Sequence, residues 1–194
     1  MKAIIVCGID TDIGKTYVSG SILAQLAYNN FRVSSFKPVQ TGCNNFSVDL
    51  QEHKKIVDLY AQERDSLRSS HNFLGNEKMC SYIFSQPVSP HLASANEQQY
   101  IKVDKILEDF MNYLTQFYPQ VNLNNLITNT YHQLDYLVVE LAGGIMSPVN
   151  NLLTNLDLIE KFRDICQSKK IDFEVVLVTA GKLGSISHTL SALT

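Results

Sequence analysis

The run AIIVC (residues 3–7) passes straight into GIDTDIGKT (8–16), and this junction limits the fold more than any other stretch. Five apolar residues without alternation suit a strand covered on both faces, as in a parallel sheet. The turn then opens a helical pattern over residues 15–28, giving the order strand, turn, helix. A P-loop places G-x-x-x-x-G-K-[ST] in this setting. Gly14, Lys15 and Thr16 match it, but the first glycine is Gly8, one place early, and Ile9 stands where the pattern has glycine. Backbone N–H groups from Asp12 through Ile13, Gly14, Lys15 and Thr16 to Tyr17 are expected to face phosphate oxygens at a helix N-terminus. Lys15 would bridge the outer phosphates, and the Thr16 hydroxyl would ligate Mg²⁺. The expected anion is a nucleoside triphosphate.

Two more runs, YLVVE (136–140) and VVLV (175–178), are apolar in the same unbroken way. FRVSSFKPV (31–39) reads as a weaker strand ending at Pro38, and MCSYIF (79–84) as a fifth. Helical patterns lie at 15–28, at 50–62, on the stripe Val103, Ile106, Leu107, Phe110, Met111, Leu114, and from Leu158 to Cys166. This alternation predicts an α/β fold: a doubly wound, mainly parallel sheet with helices on both faces and ligands outside the carboxyl ends of the strands. The 194 residues suit one domain. The polar stretches 64–78 and 118–135 read as surface connections.

A net charge of −3 gives no broad attraction to nucleic acid or to anionic lipid. No apolar run reaches membrane length, and the leading one is too short for a secretory signal. The four cysteines are scattered, and Cys7 and Cys166 fall in apolar patterns, as reduced core thiols of a cytoplasmic protein do. The five histidines show no metal-ligand spacing. Asp12 is unexpected beside a phosphate site. It either caps the helix or faces a cationic second substrate.

Four further motifs follow in order: KPVQTG (37–42), SQPVSPH (85–91), VVELAGG (138–144) and GKLGSISHT (181–189). With GIDTDIGKT they closely resemble the dethiobiotin synthetases, ATP-dependent enzymes that close the ureido ring in biotin synthesis. The resemblance runs from residue 2 to residue 194, weakly at 64–78 and 115–134. It implies a P-loop NTPase-like fold and a homodimer with active sites at the subunit interface. The substrates it implies are 7,8-diaminononanoate, CO₂ (or bicarbonate) and ATP. ATP would phosphorylate a carbamate, and the second amine would attack the mixed anhydride.

The matching positions make Lys37 the catalytic lysine, and Thr11, Asp12, Thr41 and Ser89 substrate contacts. Thr16, Asp49 and Glu140 become Mg²⁺ ligands. Glu140 also ends an apolar strand, where an acidic ligand of a P-loop enzyme belongs; Asp49 competes with a plain helix cap, and Glu52 is the fallback. Glu140, Leu141, Ala142 and Gly143 fall on the family's nucleotide-side loop, although Leu141 replaces a glycine there. His91 reads as structural. Family members continue past the position of Thr194 with elements that recognise the base, so residues 1–194 are expected to be one domain lacking those elements. The rival of another class is a non-catalytic ATP switch of the partition type, which normally has an extra lysine early in the turn and lacks the KPVQTG and SPH loops. A cobyrinate-type synthetase would need a glutaminase domain, for which the chain has no room.

Overall fold

The computed structural model describes residues 1–63, 72–76, 78–116 and 134–193. The polar stretches read as connections, 64–78 and 118–135, lie largely outside them. Five strands, β1 (Lys2–Gly8), β2 (Val33–Gln40), β3 (Cys80–Ile83), β4 (Tyr136–Glu140) and β5 (Asp172–Val178), form one parallel sheet in the order β3–β2–β4–β1–β5. The helices are α1 (Lys15–Tyr28), α2 (Val48–Glu63), α3 (Pro90–Asn96), α4 (Val103–Gln116), α5 (Asn155–Ser168) and α6 (Ser185–Leu193). This is the α/β architecture that the strand–helix alternation predicts.

Successive residues of a strand point to opposite faces, and β1 fills both. Ala3, Ile5 and Cys7 join Leu137 and Val139 of β4 against Ile106 and Phe110 of α4 and Leu158, Phe162 and Cys166 of α5. The Phe110 and Phe162 ring centroids are 4.3 Å apart. Ile4, Val6 and Val138 face the other way, onto Leu23, Ala24 and Ala27 of α1 and Val57 of α2. Burial of each large side chain contributes on the order of 1.5–3 kcal/mol, which explains the unalternating runs in β1 and β4. Cys7 and Cys166 are buried free thiols, as their apolar surroundings suggest. The α1–α2 contact is close: a Cβ on Gly20 would stand 2.5 Å from Ile56 Cδ1 and 3.1 Å from its Cβ.

β2 does not stop at Pro38 but runs on to Gln40. Lys37 N–H donates to Met79 O on the β3 side at 3.0 Å. The missing N–H of Pro38 therefore faces β4, where the β2–β4 ladder has already ended at Phe36 opposite Val139. The SQPVSPH motif runs directly into α3, because Pro90 occupies the first turn of the helix, where no N–H is needed. β5 is half exposed rather than covered: Val175 keeps 41% of its surface, and α6 buries none of its residues. Among the described residues nothing pairs with the far side of β5.

Candidate active site

The register sets Val6 opposite Glu140, so the carboxyl ends of β1 and β4 lie side by side. The turn after β1 starts helix α1 without a side-chain cap. Its N-cap is Gly14, at φ 92°, a left-handed conformation that suits glycine. Asp12 sits two residues earlier at φ 53° and is not the cap. The offset first glycine has its own reason. A Cβ at position 8 would lie 2.5 Å from Ile13 Cδ1 and 3.1 Å from Lys15 Cδ, so Gly8 is where the turn folds back most tightly. Lys15 returns over it to donate to Asp10 O at 2.7 Å. Burial lowers the Lys15 pKa, as does the neighbouring Lys37 charge; Glu140, Asp49 and Asp12 oppose them. The Asp10 carboxylate accepts from Thr11 N–H at 2.8 Å and pairs with Lys182 at 3.4 Å.

Beside the turn is a buried charge cluster from four elements. Lys37 of β2 is 2% exposed, and its Nζ lies 2.5 Å from Asp49 Oδ2 and 2.8 Å from Glu140 Oε1. Thr16 Oγ1 donates to the same Glu140 Oε1 at 3.0 Å. His53 Nε2 lies 2.7 Å from Glu140 Oε2. Burial works against the Lys37 ammonium, but the Glu140 and Asp49 carboxylates outweigh it and hold the lysine well above its ordinary range. Burial likewise pushes the Glu140 carboxyl up, and Lys37 and His53 outweigh it and hold the group ionised. A lysine held protonated in this way acts as a charge, not as a base.

Asp49 does not cap α2. Ser47 does, accepting from Leu50 N–H at 3.2 Å while donating to Gln40 Oε1 at 2.6 Å. That chain ties the end of β2 to the start of α2 and leaves Asp49 free for Lys37. Glu52 pairs with Lys55 at 3.2 Å and also lines the cavity that these groups surround.

These groups border a cavity of about 750 Å³. Thr11, Asp12, Gly14, Lys15, Thr16 and Tyr17 form one wall, and Lys37, Thr41, Asp49 and Glu140 the floor and far side. Ser89, with Pro87 and Val88, closes it from the SQPVSPH loop. Glu97 pins that loop, its Oε1 accepting from Ser85 N–H at 2.8 Å, Ser85 Oγ at 2.9 Å and Gln86 N–H at 3.1 Å. His91 Nδ1 lies 3.1 Å from Ser89 Oγ.

Ala142 and Gly143 reach the cavity, and Asn155 fixes their loop by donating from Nδ2 to Ala142 O at 2.7 Å and Gly144 O at 2.9 Å. Leu141 does not reach it. Its side chain is 1% exposed and packs into the core, because the residue after Glu140 points to the opposite face. The Ile13 side chain likewise packs inward, against the α1–α2 side of the sheet, leaving its backbone toward the turn.

Thr16, Asp49 and Glu140 converge as hard oxygen donors, the chemistry Mg²⁺ takes. Among the described residues no three His, Cys, Asp or Glu side chains form a cage. Sequence reasoning missed His53, Glu97 and Asn155. Each is one polar residue on a helix or at its end, with no spacing signal to mark it.

A family model described as an AAA domain matches residues 2–194. The chain is 35% identical over 192 residues to the ATP-dependent dethiobiotin synthetase BioD 2 of Haemophilus influenzae, covering 99% of this chain and 82% of that protein. It is 36% identical to the protein of that name from Pasteurella multocida, over 99% of this chain and 74% of the relative. The ATP-dependent dethiobiotin synthetase BioD of Francisella tularensis subsp. novicida is 31% identical, with shares of 98% and 69%. The chain belongs to the ATP-dependent dethiobiotin synthetase family and is a ligase, not the non-catalytic ATP switch that the phosphate turn alone would also allow.

Proposed function

We propose that this chain closes the ureido ring of dethiobiotin from 7,8-diaminononanoate, CO₂ or bicarbonate, and ATP, through a carbamyl-phosphate mixed anhydride. The observation that carries the reading is the Lys37 ammonium, buried beside the phosphate turn and held by Asp49 and Glu140. Transfer of the γ-phosphoryl group spreads negative charge over its oxygens, so catalysis asks for fixed positive charge and alignment. Lys37 supplies a charge that stays on, and Lys15 a second one at the outer phosphates. Backbone N–H groups from Asp12 to Tyr17 cradle the triphosphate, and the loop at Ala142 and Gly143 walls the nucleotide side. A carbamate oxygen attacks the γ-phosphorus and ADP leaves. The second amine then attacks the carbonyl carbon, releasing phosphate and closing the ring.

Thr11, Asp12, Thr41 and Ser89 hold the diamine and carbamate, with the Asp12 carboxylate facing an ammonium. When bound, Mg²⁺ on Thr16, Asp49 and Glu140 would supply further charge neutralisation at the phosphates. The reading takes residues 1–194 as one P-loop domain acting as a homodimer on small-molecule substrates. The assay is ADP release and product identification with diamine and bicarbonate added together and singly. The expected result is turnover only when both are present; ATP hydrolysis without diamine and without a ring-closed product would sink the reading.

A further inference from the structure

His53 is fully buried, absent from the cavity wall, and unable to touch a ligand. It sits one turn after Asp49 on the same face of α2. The two side chains reach opposite ends of one cluster, Asp49 to Lys37 and His53 to Glu140. An ionised carboxylate only accepts, so His53 Nε2 carries the hydrogen and donates to Oε2. Its Nδ1 is buried with no hydrogen-bond partner among the described residues. A half-satisfied imidazole in a dry site costs stability, and an apolar side chain of that volume would pack without that cost. The one contact it makes is therefore what distinguishes it from filler.

Glu140 has two oxygens with divided work. Oε1 takes Thr16 Oγ1 and Lys37 Nζ, whereas Oε2 takes only His53 among the described residues. Rotation about the last side-chain bond is broad for a glutamate. Thr16 and Lys37 anchor one oxygen, and the histidine N–H, on the other, opposes turning of the carboxylate plane. We propose that His53 is a positioning residue for Glu140, fixing Oε2 so that Oε1 stays presented to Thr16, Lys37 and the metal–phosphate end of the cavity. This rests on the assignment of Glu140 under the proposed function.

The test uses the full chain with His53→Leu, which cannot donate, and His53→Gln, whose amide can. Calorimetry with a non-hydrolysable ATP analogue is run with and without Mg²⁺, alongside ring-closure kinetics, after thermal unfolding has confirmed folding. For His53→Leu the Mg²⁺ needed for half-maximal analogue binding should rise roughly 10–100-fold, the usual cost of losing a carboxylate's supporting hydrogen bond. Analogue affinity without Mg²⁺ and KM for the diamine should stay within about twofold while kcat falls. His53→Gln should recover most of the loss. If His53→Leu does not fold, His53→Met, equally unable to donate, replaces it. A leucine or methionine variant with wild-type Mg²⁺ dependence overturns the inference, and so does equal impairment of the glutamine variant, which would mean packing. If wild-type protein makes no ring-closed product, the proposed function fails, while the binding arm still decides the role of His53.

Discussion

Replacing Lys37 by methionine removes a charge from the driest part of the cluster and leaves the volume nearly filled. Glu140, 1% exposed, then keeps hydrogen bonds to the Thr16 hydroxyl and His53. Removing one partner of a buried ion pair costs about 3–5 kcal/mol, because the other charge is stranded. For a chain of this length, 1 kcal/mol moves Tm by about 2–4 °C, so Lys37→Met should melt roughly 6–20 °C lower without ligands. The dependence on pH has a definite sign. In the wild-type chain the Glu140 pKa lies below its ordinary value. Its stabilisation is present above the unfolded value, about 4.3, and is lost only as pH falls through the depressed folded one. Without Lys37, burial prevails and the folded carboxyl moves up, so the variant regains stability by taking a proton as pH falls from about 8 toward about 5. The difference from wild type should therefore shrink toward acid. It should also shrink in a Glu140→Gln background, by about 1–3 kcal/mol of coupling. Urea melts of the four proteins at both pH values provide the measurement. A loss that is the same at both pH values, and the same whether position 140 carries glutamate or glutamine, would show that the charge pairing is not what Lys37 supplies.

Asp12→Asn should leave Tm unchanged, since Gly14 is the N-cap of α1, but lower kcat/KM for the diamine roughly ten- to hundredfold through a lost charge-assisted contact; unchanged diamine kinetics would exclude that contact. Glu97→Ala removes the acceptor of three hydrogen bonds from the SQPVSPH loop, so KM for the diamine should rise several-fold while ATP-analogue affinity holds; equal loss of both would point to a global change. Burial pushes the thiols of Cys7 and Cys166 up to about 11 and that of the half-buried Cys80 to about 12, so these three should resist alkylation at about pH 8 in the native protein and react in urea; rapid native labelling would refute this.

The sheet was legible because burial on both faces writes itself as an unbroken apolar run, which β1 and β4 show and the half-exposed β5 only partly follows. The phosphate turn was legible because its chemistry is local: strand, turn, lysine and threonine are contiguous. The charge cluster was not. Lys37, Asp49 and His53 lie near one another in sequence, but Glu140 comes from a distant strand, and only the pairing of β2 with β4 brings it beside them. Lys37, Asp49 and Glu140 were assigned from the motifs, whereas His53 lies on an ordinary amphipathic helix. Pro38 misled because a proline ends a strand only when its missing donor faces a neighbour's acceptor. Asp12 and Asp49 sit where caps commonly stand, and only the backbone shows that Gly14 and Ser47 hold those places.

The contact between Gly20 and Ile56 has a consequence for how this site can vary. α1 carries Lys15 and Thr16, α2 carries Asp49 and His53, and Ile56 itself borders the cavity. The bare backbone at position 20 acts as a gauge that sets the gap between phosphate-binding and carboxylate-bearing halves. A methyl group there meets not only the flexible tip of Ile56 but its Cβ, so the helices must part by a few tenths of an ångström. Positions 20 and 56 can thus exchange bulk only as a matched pair, alanine at one demanding a smaller side chain at the other. A substitution that touches no ligand would otherwise detune both halves at once.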